Sequence, residues 1–398
     1  MSLFSAVEMA PRDPILGLNE AYNADSRANK VNLGVGVYYN EEGRIPVLRA
    51  VATAEKALAE TNSPRGYLPI DGINTYDSAV QKLLFGNNSQ LITDKRIVTT
   101  QAVGGTGGLK TGADFLKQLT PNAKVAISSP SWENHRALFT NAGFEVVEYR
   151  YYNENTHNVD REGFFADLKA LPEGTIVVLH ACCHNPTGAD LTLNDWQTVL
   201  DICQTRKLIP FMDIAYQGFA QGPDEDAAPV RLFAESGLRI FVSSSFSKSF
   251  SYYGERVGAL SIVCADADEA KRVLSQVKRV IRTNYSNPPT HGARIVSNVL
   301  NNPELKALWE EELTEMRVRI RTMRELMVKK LAEKGAKRDF SFVMQQRGMF
   351  SYSGLTADQV ERLRTEFGIY AVNTGRICVA ALNMNNIDLV TDAIIAVL

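Results

Sequence analysis

The 398-residue chain is predicted to form an α/β fold: a mostly parallel sheet with helices on both faces, plus a smaller, discontinuous α+β unit. Three observations lead there. Short Val/Ile-rich runs alternate with helix-length amphipathic stretches through the middle of the chain. One long, capped helical pattern follows them. Apolar residues make up 45% and charged residues 22%, a balance that lets a chain of this length bury a large core.

The candidate strands are Arg96–Gln101, Lys124–Ser128, Glu145–Arg150, Thr175–Ala181, Leu208–Asp213, Arg239–Ser244 and Arg256–Cys264. They are short and Val/Ile-rich, as buried strands are. Leu109–Leu119 and Leu191–Thr205 are the clearest helices between them. The best single helix is Pro303–Lys334, with Asn302 as N-cap, Pro303 at the first helical position and Gly335 as the stop. Its apolar residues recur at spacings of three and four, and it would span roughly 48 Å, long enough to bridge two domains. The segment Ala336–Leu398 reads as the smaller α+β unit.

Lys plus Arg number 43 and Asp plus Glu 45, a net charge of −2. That argues against broad attraction to nucleic acid or to a membrane surface, though not against a small cationic pocket. The five cysteines (182, 183, 203, 264, 378) lie mostly in apolar runs and read as reduced, buried thiols. The N-terminal MSLFSAVEMAPRDP lacks the basic and apolar regions of a signal peptide, and no apolar run approaches the ~20 residues of a membrane helix. A cytoplasmic protein is expected.

Ligands of such sheets bind beyond the C-terminal ends of the strands, so chemistry is sought there. After Arg96–Gln101 comes AVGGTGGLKTG, whose spacing matches neither a Walker A nor a G-x-G-x-x-G motif. Gly105 and Thr106 are either an anion loop or a plain strand–helix turn. After Thr175–Ala181 comes CCHNPTG; Pro186 holds Asn185 extended, placed to donate a hydrogen bond. His180, Cys182, Cys183 and His184 lack structural-zinc spacing, and no metal is assigned. The strand LIPFMD ends on Asp213, which is either a helix N-cap or a carboxylate awaiting a cation, with Tyr216 three residues on. After Arg239–Ser244 comes SFSKSF: Lys248 lies among Ser245, Ser247 and other serines, with Arg256 eight residues on. Lys248 is solvated or catalytic; hydroxyls and a guanidinium suit a phosphate, and a desolvated Lys near cations becomes a nucleophilic amine. An amine, a phosphate cradle, a carboxylate for a ring nitrogen and donors for a phenolic oxygen together are what pyridoxal phosphate requires.

At these residues the chain resembles the class I pyridoxal-phosphate-dependent aminotransferases, most nearly the bacterial aspartate and aromatic (tyrosine) group. The likeness runs from DPILGL (13–18) to GRICVAAL (375–382), through NLGVGVY (32–38), YLPIDG (67–72), GGTGGLK (104–110), SWENH (131–135), HNPTG (184–188), DIAYQGF (213–219), SFSKSF (245–250), GERVG (254–258), RTNYSNPP (282–289) and RGMFSYSG (347–354). It implies the fold type I transferase architecture and a homodimer with shared sites. The implied layout is an N-terminal arm (1–12), a small domain in two parts (13–46 and 314–398) and a large cofactor domain (47–313).

The resemblance also implies roles. Lys248 carries pyridoxal 5′-phosphate as a Schiff base and moves the substrate proton. Asp213 pairs with the ring nitrogen, supported by His135. Tyr216 and Asn185 hydrogen-bond the phenolic oxygen, and Trp132 stacks on the ring. Gly105, Thr106, Ser245, Ser247 and Arg256 hold the phosphate, with Tyr67 reaching in from the partner. Arg376 clamps the substrate α-carboxylate, Gly36 lets the backbone approach the substrate, and Arg282 and Ser286 come from the partner, Arg282 meeting a distal carboxylate.

The implied reaction is ping-pong transamination between an amino acid and 2-oxoglutarate. VYYNEEGRIP (37–46) looks like the aromatic branch and SNPPTHGA (286–293) like the aspartate branch. The expectation is an enzyme taking tyrosine, phenylalanine and aspartate; a strict aspartate aminotransferase is the alternative. A lyase or decarboxylase of the same fold is set against the Arg282 and Arg376 pair, and a regulator's sensor domain against the absence of a basic footprint.

Overall fold

The computed structural model describes residues 2–398. All seven expected strands form, and they share one sheet. They are β1 (Ile97–Val103), β2 (Lys124–Ser129), β3 (Glu145–Arg150), β4 (Ile176–His180), β5 (Ile209–Ile214), β6 (Phe241–Ser245) and β7 (Val257–Val263), in the spatial order β1-β7-β6-β5-β4-β2-β3. Every pairing is parallel except those of β7, which runs antiparallel to β1 and β6. This exception matters. The start of β7 lies at the same sheet end as the C-termini of its neighbours, so Arg256, just before it, reaches the ligand-binding end.

Alternate residues along each strand feed two apolar layers. Val125, Ile127, Ile176, Val178 and Phe211 pack with Leu109, Phe115 and Phe139 on one face. Ala126, Val177, Leu179 and Met212 pack with Trp196, Val199 and Phe233 on the other. Period-2 alternation of apolar residues in a doubly covered sheet produces this directly.

Helix α1 (Gly104–Leu119) begins five residues before the expected Leu109, so the GGTGG stretch forms its first turns rather than a preceding loop. The glycines permit close contact: a Cβ on Gly112 would lie 2.5 Å from Phe211 Cζ, and one on Gly108 would lie 2.6 Å from Ser243 Oγ. Helix α2 (Pro303–Glu333) follows its sequence closely. The Asn302 side chain accepts from the amides of Glu304 and Leu305, and Gly335 turns with φ of +78° just beyond the end. Trp309, Leu313, Met316, Ile320, Met323, Met327 and Leu331 form its buried stripe.

The C-terminal region is α+β, as expected. Phe350–Tyr352 pairs antiparallel with Arg376–Cys378, and helices Ala357–Phe367 and Ile387–Val397 complete it. Val31–Asn32 joins this region by pairing in parallel with Ile369–Tyr370, which brings the early chain beside the late chain. No helix among the described residues is long and apolar enough to cross a membrane.

Candidate active site

The parallel register aligns three strand ends. His180 of β4 lies opposite Asp213 of β5, and Asp213 opposite Ser243 of β6. Beyond these ends lies a cavity of about 150 Å³. Ten of the sixteen residues singled out above line it: Gly105, Thr106, Trp132, Asn185, Asp213, Tyr216, Ser245, Ser247, Lys248 and Arg256.

Asp213 is not a helix N-cap. It sits inside β5, which runs on to Ile214, and no helix starts there. Its Oδ2 is 2.8 Å from His135 Nε2, and His135 is fully buried. Beyond His135, Ser131 Oγ is 2.9 Å from Nδ1 and 3.2 Å from His180 Nε2, so a polar relay backs the carboxylate. Burial pushes the Asp213 carboxyl up. The hydrogen bond and charge of His135, with His180 and Lys248, outweigh that and hold it below its ordinary value. Asp213 is therefore an anion facing the cavity.

Lys248 follows β6 in a tight turn. Phe246 and Phe250 are buried on either side of it, Phe250 stacks on Trp309 of α2 at 4.9 Å, and Trp309 Nε1 donates to Ser249 O at 2.7 Å. The turn is thus bolted to the long helix. Lys248 Nζ lies 5.0 Å from the centre of the Tyr216 ring. Burial pulls its pKa down to about 8, with Arg256 and Arg376 acting in the same sense against Asp213. An appreciable minority of such an amine is neutral near physiological pH, the form that attacks a carbonyl. Burial pushes the Tyr216 hydroxyl up, so it stays protonated and can donate.

At the other end of the cavity the N-terminus of α1 presents Gly105 and Thr106. A helix start has amides without intrahelical partners. Arg256 stands beside it, its Nη1 donating to Ser247 Oγ at 3.2 Å and to Tyr253 O at 2.9 Å. A Cβ on Gly104, where φ is +68°, would collide with Arg256 Nη2, so only glycine allows this approach. Amides, two hydroxyls and a guanidinium make an anion cradle.

Arg376 lies just behind the cavity wall, 1% exposed. Its Nη1 donates to Asn185 Oδ1 at 3.1 Å, which leaves the Asn185 amide N–H free to donate, and its Nη2 donates to Gly34 O at 2.6 Å. Its buried Nε has no partner among the described residues. The Phe350 ring lies 4.2 Å from this guanidinium. Gly36 abuts the same ring, since a Cβ there would fall 2.6 Å from Phe350 Cζ. Gly36 therefore makes room for Phe350.

Three residues lie away from this chain's cavity. Tyr67 is 97% exposed, and Arg282, at the end of helix Ala267–Asn284, donates to Ser286 Oγ outside the pocket. Leu109, His180, Cys182 and Ala215 also line the cavity without having been singled out for it. His180 had a usable signal, a polar residue near a strand's C-terminal end. Ser131 and Phe350 had no local signal.

The family model for class I and II aminotransferases matches residues 28–394. The chain is 73% identical over 398 residues to an aspartate aminotransferase of Pseudomonas aeruginosa, covering all of both sequences. It is 51% identical over 397 residues to an aromatic-amino-acid aminotransferase of Escherichia coli, again covering all of both. It superposes on the solved aromatic-amino-acid aminotransferase from Burkholderia pseudomallei, a protein covalently bound to pyridoxal phosphate, with a TM-score of 0.98 at 67% identity over all of both chains. The chain belongs to the class I and II aminotransferase family.

Proposed function

We propose that this aminotransferase transfers the amino group of tyrosine, phenylalanine or aspartate to 2-oxoglutarate, using pyridoxal 5′-phosphate. One observation carries the reading: the lowered amine of Lys248, the anionic Asp213 and the Arg256 cradle face one another across a single cavity.

The residues present fit the cofactor. The α1 start, Ser245, Ser247 and Arg256 suit its phosphate, Asp213 its ring nitrogen, Tyr216 and Asn185 its phenolic oxygen, Trp132 its face and Lys248 its aldehyde. When bound, it supplies a carbonyl carbon that accepts an amino group and a protonated ring that withdraws electrons. Lys248 takes the proton from the substrate α-carbon and returns it elsewhere, which its pKa of about 8 suits. Asp213 keeps the ring-nitrogen proton in place because His135 holds it ionised. Arg376, with an unpaired Nε, binds the substrate α-carboxylate.

The protein works as a homodimer, with Tyr67, Arg282 and Ser286 completing the partner's site. Their position outside this chain's cavity supports this, as do the exposed apolar side chains Leu3, Phe4, Val7 and Met9 of the 1–12 arm. The division into arm, large domain (47–313) and two-part small domain (13–46, 314–398) is supported by the pairing of Val31–Asn32 with Ile369–Tyr370. A cytoplasmic location suits five unpaired, buried cysteines.

A steady-state panel of amino donors with 2-oxoglutarate tests the reading. Turnover of tyrosine, phenylalanine and aspartate is expected. Good turnover of aspartate with none of tyrosine or phenylalanine would leave the strict aspartate alternative.

A further inference from the structure

Arg324 of α2 is 3% exposed, yet none of the ion pairs among the described residues includes it. It donates to three main-chain carbonyls: Val343 at 3.3 Å, Gly348 at 2.7 Å and Phe350 at 2.5 Å. A guanidinium buried without an anion is costly, and its pKa falls to about 10 as a result. A planar fork of five donors on three nitrogens can reach three divergent carbonyls at once.

The segment so tied, 343–350, touches the active site at two points. On one side it packs on the Asn185 loop: Arg347 N donates to Gly188 O at 2.7 Å, and a Cβ on Gly188 would fall 2.8 Å from Phe350 O. A Cβ on Gly348 would lie 2.5 Å from Cys183 Cβ. There is no slack on this side. On the other side the Phe350 ring lies 4.2 Å from the Arg376 guanidinium and abuts Gly36, and Arg376 also holds Asn185. The carbonyl that Arg324 grips at Phe350 therefore belongs to the residue whose ring sets the Arg376 fork.

We propose that Arg324 is a positioning residue for carboxylate binding, acting through the 343–350 segment and the Phe350 ring to hold Arg376 and Asn185 in register. It touches neither substrate nor cofactor. The proposal rests on the reading of Arg376 as the carboxylate clamp. Loss of Arg324 lets the segment drift, and displacement of a substrate-binding group by about 1 Å is enough to cost roughly 10²-fold.

The test uses the cofactor-loaded enzyme with Arg324→Met and Arg324→Lys, read alongside Arg376→Met. The measurements are the Kd of maleate, a dicarboxylate that cannot react, and the KM values and kcat for aspartate with 2-oxoglutarate. Expected for Arg324→Met is a rise in maleate Kd and in both KM values of roughly 10- to 100-fold. The cofactor should still load, and kcat should fall much less than KM rises. Arg324→Lys, a point cation without the spread of the fork, should show the same pattern more weakly, and it is decisive if the Met variant does not fold. The double variant Arg324→Met/Arg376→Met should be no worse than Arg376→Met alone, because both act through one clamp. Unchanged maleate Kd and KM in a folded Arg324 variant overturn the proposal, as does additivity in the double variant. If Arg376→Met also leaves maleate binding intact, it is the clamp reading that has failed.

Discussion

Asp213 and His135 meet at 2.8 Å at the C-terminal end of the central strand β5, the carboxylate facing the cavity and the imidazole wholly buried behind it. Without that contact, burial alone would favour a neutral carboxyl. Asp213→Asn, which cannot carry the charge, should lower kcat by about 10²- to 10³-fold or more. His135→Asn should cost less, roughly 10- to 100-fold, the worth of a hydrogen bond to a charged group. The pH profile separates the two. A group held below its ordinary pKa is ionised at neutral pH and loses its charge only as pH falls. Weakening the His135 contact raises the Asp213 pKa, so the acid limb of kcat should move to higher pH in His135→Asn.

Lys248 gives a second pH signature. Its amine titrates near pH 8, and the neutral form is the one that captures an aldehyde. Cofactor uptake by the cofactor-free protein, followed by absorbance, should quicken about tenfold per pH unit below 8 and level off above it. Lys248→Ala should abolish turnover. Surviving catalysis would remove Lys248 from its assigned role.

The proposed phosphate cradle is tested at Gly104. A methyl group there meets both a left-handed backbone and the Arg256 guanidinium. Gly104→Ala should weaken pyridoxal phosphate binding roughly tenfold and destabilise the fold by about 1–2 kcal/mol. Pyridoxal without the phosphate should bind as before. Equal loss for both would mean that the substitution damages the site as a whole.

The contrast among these residues shows what the sequence could disclose. Most of the seven strands were legible because they are short apolar runs buried on both faces, where the period and the burial make the same demand on composition; the edge strand Glu145–Arg150 keeps its charged residues exposed. Asp213 and Lys248 were legible because polar residues interrupt that pattern where parallel strands end. The start of α1 was misplaced because its glycines, chosen for contact with Phe211, Ser243 and Arg256, imitate a loop. Arg376 and Phe350 sit on three-residue strands with no periodicity, and only family likeness singled out Arg376. Arg324 looks like any helix-face arginine; its burial depends on carbonyls up to 26 residues away.

The proposed sharing of sites between protomers makes a prediction that no single variant can test. Arg282→Ala should raise KM for aspartate and 2-oxoglutarate by roughly 10- to 100-fold, the loss of a charge-assisted contact, with tyrosine less affected as a donor. Now let Arg282→Ala chains and Lys248→Ala chains be unfolded together and refolded. In a mixed dimer, one site carries both substitutions, Lys248→Ala from its own chain and Arg282→Ala from the other, and is dead. The second site combines an intact Lys248 with an intact Arg282 donated across the interface. Mixed dimers should therefore regain low-KM aspartate turnover at up to about half of their sites, although neither parent has it. If Arg282 served the site of its own chain, each mixed dimer would hold one site lacking Lys248 and one lacking Arg282. No low-KM activity would then return, and the shared-site reading would fall.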